Sequence, residues 1–123
     1  MTTPRSILLI EDSVDDADLI ALELADAGLD VQLHRVELLP ELEAALERND
    51  WALVLCDSRL PGYDGSEAFM RVRERLPDVP VLFCTGGYHD ENAPLQQAIE
   101  ASQGHVAKDD LERLPELVRQ LLG

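Results

Sequence analysis

The chain has a single lysine, two cysteines and no long apolar run. Its ten basic residues are nine arginines and Lys108, set against 25 acids, for a formal net charge of −15. A surface this negative repels nucleic acid and anionic membranes, so the domain is expected to bind neither directly. It also means that any phosphate chemistry here needs a local source of positive charge. Cys56 and Cys84 each sit inside an apolar run, at a spacing that matches no zinc motif. Two cysteines are too few for a disulfide scaffold, so both are expected to be buried thiols. No apolar stretch approaches the roughly 20 residues that cross a bilayer. The opening Met1-Thr2-Thr3-Pro4-Arg5 leads into the first apolar run without the pattern of a signal peptide, and the expected location is cytoplasmic.

What is present suits one folded unit. With 123 residues, 46% of them hydrophobic, the chain has enough apolar material for one core, and a single domain over 1–123 is expected. Five short apolar runs alternate with five amphipathic stretches. The runs are Ile7-Leu8-Leu9-Ile10, Val31-Gln32-Leu33-His34, Ala52-Leu53-Val54-Leu55-Cys56, Val81-Leu82-Phe83-Cys84 and His105-Val106-Ala107. A first helix is expected over about Ser13 to Ala27, with Ser13 as N-cap, Asp15 and Asp16 in its first turn, and Gly28 as its stop. Its inner face is read as Ala17, Ile20, Ala21 and Leu24. A second helix is read over about Pro40 to Arg48, and a third through Phe69, Val72 and Leu76, ending before Pro77. The fourth is weakly marked by Leu95, Ala98 and Ile99 behind Pro94. The fifth shows Leu114, Leu117, Val118 and Leu121 on one stripe, with Pro115 near its start.

Alternating strands and helices imply right-handed crossovers and a parallel sheet covered on both faces. Runs that are apolar throughout belong in the centre of such a sheet, and alternating ones at its edges. The first, third and fourth strands read as central, the second and fifth as edges. The expected fold is therefore α/β, a doubly wound five-stranded parallel sheet of order 2-1-3-4-5, flavodoxin-like.

In that topology ligands bind beyond the carboxyl ends of the strands, between the first and third. Strand one ends in Glu11-Asp12, strand three in Asp57, strand four in Thr85 and strand five in Lys108. Three crowded carboxylates cannot all stay ionised without a cation or a large rise in pKa. A divalent ion resolves the conflict, and magnesium suits a site with few carboxylates and several retained waters. Taken singly, Glu11 and Asp12 read as acids capping the first helix, and Asp57 as a turn residue. Their meeting at neighbouring strand ends favours the metal reading. Lys108 supplies a compact point charge for a phosphoryl oxygen. The hydroxyl of Thr85, followed by Gly86-Gly87, can donate to the same group, although threonine before two glycines is also ordinary turn chemistry.

These residues resemble the receiver domains of bacterial two-component response regulators over nearly the whole chain. The likeness rests on Leu8-Leu9-Ile10-Glu11-Asp12, Asp57-Ser58-Arg59-Leu60-Pro61-Gly62-Tyr63-Asp64-Gly65, Thr85-Gly86-Gly87 and Val106-Ala107-Lys108. The resemblance implies that Asp57 takes a phosphoryl group from the phosphohistidine of a sensor histidine kinase or phosphotransfer protein. It implies Mg2+ on Glu11, Asp12, Asp57 and the backbone carbonyl of Arg59, phosphoryl binding by Thr85 and Lys108, and a switch formed by Thr85 and His105. No enzymatic activity is implied beyond the domain's own phosphoryl transfer and slow autodephosphorylation. The signal would leave through a changed surface toward an output partner that the sequence does not identify. Dimerisation through the fourth or fifth helix stays open.

Three features depart from the family pattern. Asp109 follows the lysine where proline is usual, a variation resembling a subgroup of receivers found alone or joined to sensory modules. His105 occupies the place of a Tyr or Phe that swings inward, and a histidine there makes a pH-sensitive surface an expectation. Ala101-Ser102-Gln103-Gly104 replaces the usual Gly-Ala approach to the last strand, which with the weak fourth helix points to an unusual or mobile output face. The alternative from another functional class is a receiver-shaped interaction module that works without phosphorylation. A flavodoxin-type cofactor protein fits less well because Glu11-Asp12 would repel phosphate. A haloacid-dehalogenase-type phosphatase fits less well because Glu11-Asp12-Ser13 is not its Asp-x-Asp.

Overall fold

A computed structural model describes residues 4–86 and 93–123. Among the described residues, seven strands and five α-helices run in the order β1 (Arg5–Ile10), α1 (Val14–Asp26), β2 (Val31–Val36), α2 (Leu39–Ala45), β3 (Leu53–Asp57), β4 (Arg59–Leu60), β5 (Tyr63–Asp64), α3 (Gly65–Arg75), β6 (Val81–Thr85), α4 (Ala93–Ala101), β7 (Gly104–Ala107) and α5 (Leu114–Leu122). A 3₁₀ helix, Lys108–Arg113, links β7 to α5. The main sheet is parallel with order β2-β1-β3-β6-β7. Setting aside the antiparallel ribbon β4–β5, this is the expected 2-1-3-4-5 winding.

Burial follows the apolar patterning. Every residue of β3 is buried, as are Ile7 to Ile10 of β1 and Val81 to Cys84 of β6, whereas β2 and β7 alternate as edges do. The sheet separates two cores. One face packs Leu8, Val54 and Phe83 against α2, α3 and α4, and the other packs Ile7, Leu55 and Leu82 against α1 and α5. Cys56 and Cys84 are free and buried, and burial raises both thiols, Cys84 to about 12.

Several boundaries differ from the expectation. Ser13 caps α1, its Oγ accepting the Asp16 amide at 3.2 Å, and Gly28 (φ +78°) ends that segment in the left-handed region. Ala21, expected on the inner face, is exposed; Ala17, Ile20 and Leu24 carry the packing. α2 starts at Leu39 and stops at Ala45, shorter than the pattern suggested. Glu41 accepts the Leu38 amide at its head (2.9 Å), while Leu46 and Trp51 turn back into the core. The ribbon β4–β5 was not anticipated. It brings Asp64 to the N-cap of α3, where Oδ1 accepts from the amides of Ser66 and Glu67. Among the described residues no helix is long and apolar enough to cross a membrane.

Candidate functional site

The carboxyl ends of β1, β3, β6 and β7 open into one crevice of about 600 Å³. Its lining includes Asp12, Asp57, Arg59, Thr85, His105 and Lys108. Thus the strand-end residues meet as the winding requires: β1 delivers Glu11 and Asp12, β3 ends on Asp57, β6 on Thr85, and Lys108 follows β7 directly. Gly87, the last residue of the Thr-Gly-Gly motif, lies outside the described residues.

Oxygens of Glu11, Asp12 and Asp57 lie within 4.8 Å of one another. Glu11 is 1% exposed and Asp57 6%, so two of the three acids are withdrawn from water, while Asp12 faces outward. Each buried acid uses one oxygen locally. Glu11 Oε2 accepts the Ser13 amide at 3.2 Å, and Asp57 Oδ1 accepts the Ser58 amide at 2.7 Å. Neither bond caps α1, whose N-cap is Ser13, and each acid leaves its second oxygen for the crevice.

Those second oxygens face Lys108. Its Nζ lies 2.8 Å from Glu11 Oε1 and 3.2 Å from Asp57 Oδ2, and it donates a hydrogen bond to Asp16 Oδ2 at 2.8 Å. Burial works against the ammonium, but the contacts with Asp16 and Glu11 outweigh it and raise its pKa further. Glu11 moves the other way from an ordinary carboxylate. Burial pushes it up to about 7, opposed by the contact with Lys108 and reinforced by the charge of Asp57.

The site fits a hard divalent cation. All its donors are oxygen, and Glu11 Oε1 is a buried acceptor that receives no well-directed hydrogen bond. A cation there would relieve both the repulsion among the acids and the burial cost of Glu11. Arg59, on β4, is exposed at the rim of the crevice. Thr85 is partly buried at the end of β6, paired with Ala107 of β7. His105 pairs in register with Phe83 and is exposed on the edge strand, while still lining the crevice.

Two residues join the site that the sequence did not mark. Asp16 had been read only as a first-turn acid. It lies in the first turn of α1, four residues past Asp12, and that nearness to the end of β1 is the signal that places it on the crevice side. Arg35 donates from Nη1 to the Glu11 carbonyl at 3.1 Å, tying the end of β1 to β2. Nothing in an exposed arginine on an alternating strand announces that bond.

A family model, the response regulator receiver domain, matches residues 7–119. The chain belongs to the response regulator receiver family. Among curated proteins it is 33% identical over 124 residues to the DNA-binding dual master transcriptional regulator RpaA of a Synechocystis species, covering 97% of this chain and 49% of that one. It is 30% identical over 103 residues to the regulatory protein LuxO of Vibrio cholerae, covering 84% of this chain and 21% of that one. The chain thus spans about half or less of these relatives. Of the solved structures, the receiver domain of a Pseudomonas aeruginosa sensor histidine kinase superposes with a TM-score of 0.81 at 24% identity. The alignment covers 98% of this chain and 99% of that domain, which carries a magnesium ion coordinated in its active-site cleft. A CheY-like receiver from Methanospirillum hungatei gives 0.78 at 22% identity, covering 98% and 94%. At these identities the structures speak to the fold.

Proposed function

We propose that this receiver is a phosphoacceptor of a two-component relay, with Asp57 as the residue that is phosphorylated. The observation that carries this reading is the placement of a buried carboxylate at the end of the central strand. There Asp57 lies 3.2 Å from the chain's only lysine and beside two further acids. In the proposed step a carboxylate oxygen of Asp57 attacks the phosphorus of a partner's phosphohistidine. The P–N bond breaks as the new O–P bond forms, and the imidazole leaves with the bonding pair. The Ser58 amide, on Oδ1, holds the carboxylate in orientation. Lys108 lies within reach of phosphoryl oxygens on Asp57, and the Thr85 hydroxyl is assigned the second donor.

Glu11, Asp12 and Asp57 would hold Mg2+, with the Arg59 carbonyl as the further oxygen that the family implies. When bound, that ion neutralises charge shared between the carboxylates and the incoming phosphoryl group. The Pseudomonas receiver with magnesium in its cleft supports this assignment. Thr85 and His105 are proposed to pass the event to a changed partner-binding surface, and the domain to act in the cytoplasm with no turnover beyond its own phosphorylation and dephosphorylation.

The test is intact-protein mass after incubation with acetyl phosphate, with and without Mg2+, for the wild type and Asp57→Asn. The expected result is one magnesium-dependent phosphoryl addition that the substitution abolishes. No addition, in conditions that label another receiver, would replace this reading with the phosphorylation-independent interaction module.

A further inference from the structure

We infer that Asp16 is a positioning residue that holds Lys108 in reserve and competes with the phosphoryl group for it; this rests on the phosphoacceptor reading of the same site. An ammonium has three protons to donate. Three carboxylates surround that of Lys108: Glu11 Oε1 and Asp16 Oδ2 each at 2.8 Å, and Asp57 Oδ2 at 3.2 Å. Three acceptors thus crowd the ammonium in the resting chain, and a phosphoryl oxygen must compete with them for it.

Exposure identifies the partner that gives way. The side chains of Glu11 and Asp57 are 1% and 8% exposed, whereas that of Asp16 is 35% exposed. Releasing Lys108 from Asp16 leaves a carboxylate that water can solvate, while releasing it from Glu11 leaves a buried charge unpaired. Asp16 is also the partner that receives the directed hydrogen bond, so it is the contact that fixes where the ammonium rests. The α1 cap in turn fixes Asp16, because its own amide donates to Ser13 Oγ. The result is a lysine held toward the α1 side of the crevice and a negative charge facing the incoming group. Both oppose phosphorylation until the new acceptor outbids the old one.

The test uses the full chain at saturating Mg2+, with acetyl phosphate as donor and intact mass as readout. Asp16→Asn keeps the size of the side chain and removes its charge. It should raise the rate of phosphoryl addition about three- to tenfold, the scale of one part-exposed charged contact. Asp15→Asn, in the same turn and exposed, removes equal net charge without touching Lys108 and should leave the rate unchanged. Since Lys108 is the only lysine, its ammonium gives a single ¹⁵N signal. That signal should exchange faster with water in Asp16→Asn and not in Asp15→Asn. An Asp16→Asn rate equal to or below wild type overturns the inference, as does equal acceleration by Asp15→Asn, which would reveal a general field effect. A wild-type chain that takes no phosphoryl group at all overturns the underlying reading instead.

Discussion

Gly65 shows how closely the end of β3, which carries Asp57, is packed from behind. It is the first residue of α3, and a methyl group added there would meet the Asp57 carbonyl oxygen at 2.8 Å, Phe83 Cε1 at 2.8 Å and Ser58 Cα at 3.1 Å. Two of the three obstacles are backbone, and the third is a ring with no exposed surface that packs on Phe69. None can yield by a simple rotation. Overpacking of this kind costs about 1–3 kcal/mol, against a gain of up to about 1 kcal/mol from restricting the unfolded chain. Gly65→Ala should therefore lose about 1–2 kcal/mol, which for a chain of this length lowers the melting temperature by about 4–8 °C. Trp51 makes the assay clean, being the sole tryptophan and 4% exposed, with its indole donating to the Ala45 carbonyl. Because the obstructing carbonyl belongs to Asp57, the magnesium-dependent phosphoryl addition should also slow about tenfold or more. Met70→Ala, on the exposed side of the same helix, should melt within about 0.5 kcal/mol of wild type. A Gly65→Ala chain that melts like wild type would refute the reasoning, since Phe83 and the end of β3 would then have room to spare.

Glu11 gives a pH signature. Its folded-state pKa of about 7 lies above its ordinary 4.5, so between those values the folded chain keeps a proton that the unfolded chain has released. Its contribution to stability without metal should fall as pH rises from about 4.5 to about 7 and then level off. The difference between wild-type and Glu11→Gln melting curves across that range measures it, and a difference independent of pH would refute it. By the same sign, a metal must displace the proton, so Mg2+ affinity should rise with pH up to about 7, by at most about tenfold per pH unit. Calorimetric titration at several pH values reads this directly. Asp64→Ala removes the cap of α3 and should cost about 1 kcal/mol, with Asp64→Asn recovering most of it in the same melt.

The sheet was legible because its chemistry is repetitive. A strand buried on both faces must be apolar throughout, as Leu53 to Cys56 and Val81 to Cys84 are, and the alternation in Val31 to His34 could only suit an edge. Given that winding, the site residues followed from one rule, that side chains at strand ends share a crevice. What escaped depends on contacts that no local pattern spells out. The end of α2 is set by where Leu46 and Trp51 reach the core, which no local pattern announces. The β4–β5 ribbon lies within a Pro-Gly turn whose composition says only that the chain bends. Asp16 belongs to both descriptions. As a first-turn acid it satisfies a helix rule completely, and the 92 residues separating it from Lys108 hide the second role.

The distribution of cations ties the charge of the chain to its chemistry. Most of the arginines work at the periphery, where a planar fork suits fixed partners: Arg48 grips Asp50 through two nitrogens, Arg71 spans Glu43 and Glu67, and Arg73 and Arg119 reach backbone carbonyls. The crevice holds the one ammonium instead. A guanidinium set bidentately on one carboxylate must give up two bonds to change partners. An ammonium among three acceptors can exchange one of them by a small rotation and keep the rest. In a chain with a net charge of −15 that freedom carries a hazard, because Asp109 and Asp110 follow Lys108 directly and would also attract it. A third carboxylate on α1 answers the hazard by holding the lysine inside the crevice. Under the proposed phosphoryl transfer, the same negative charge that calls for a cation also calls for the lysine's place to be fixed in advance.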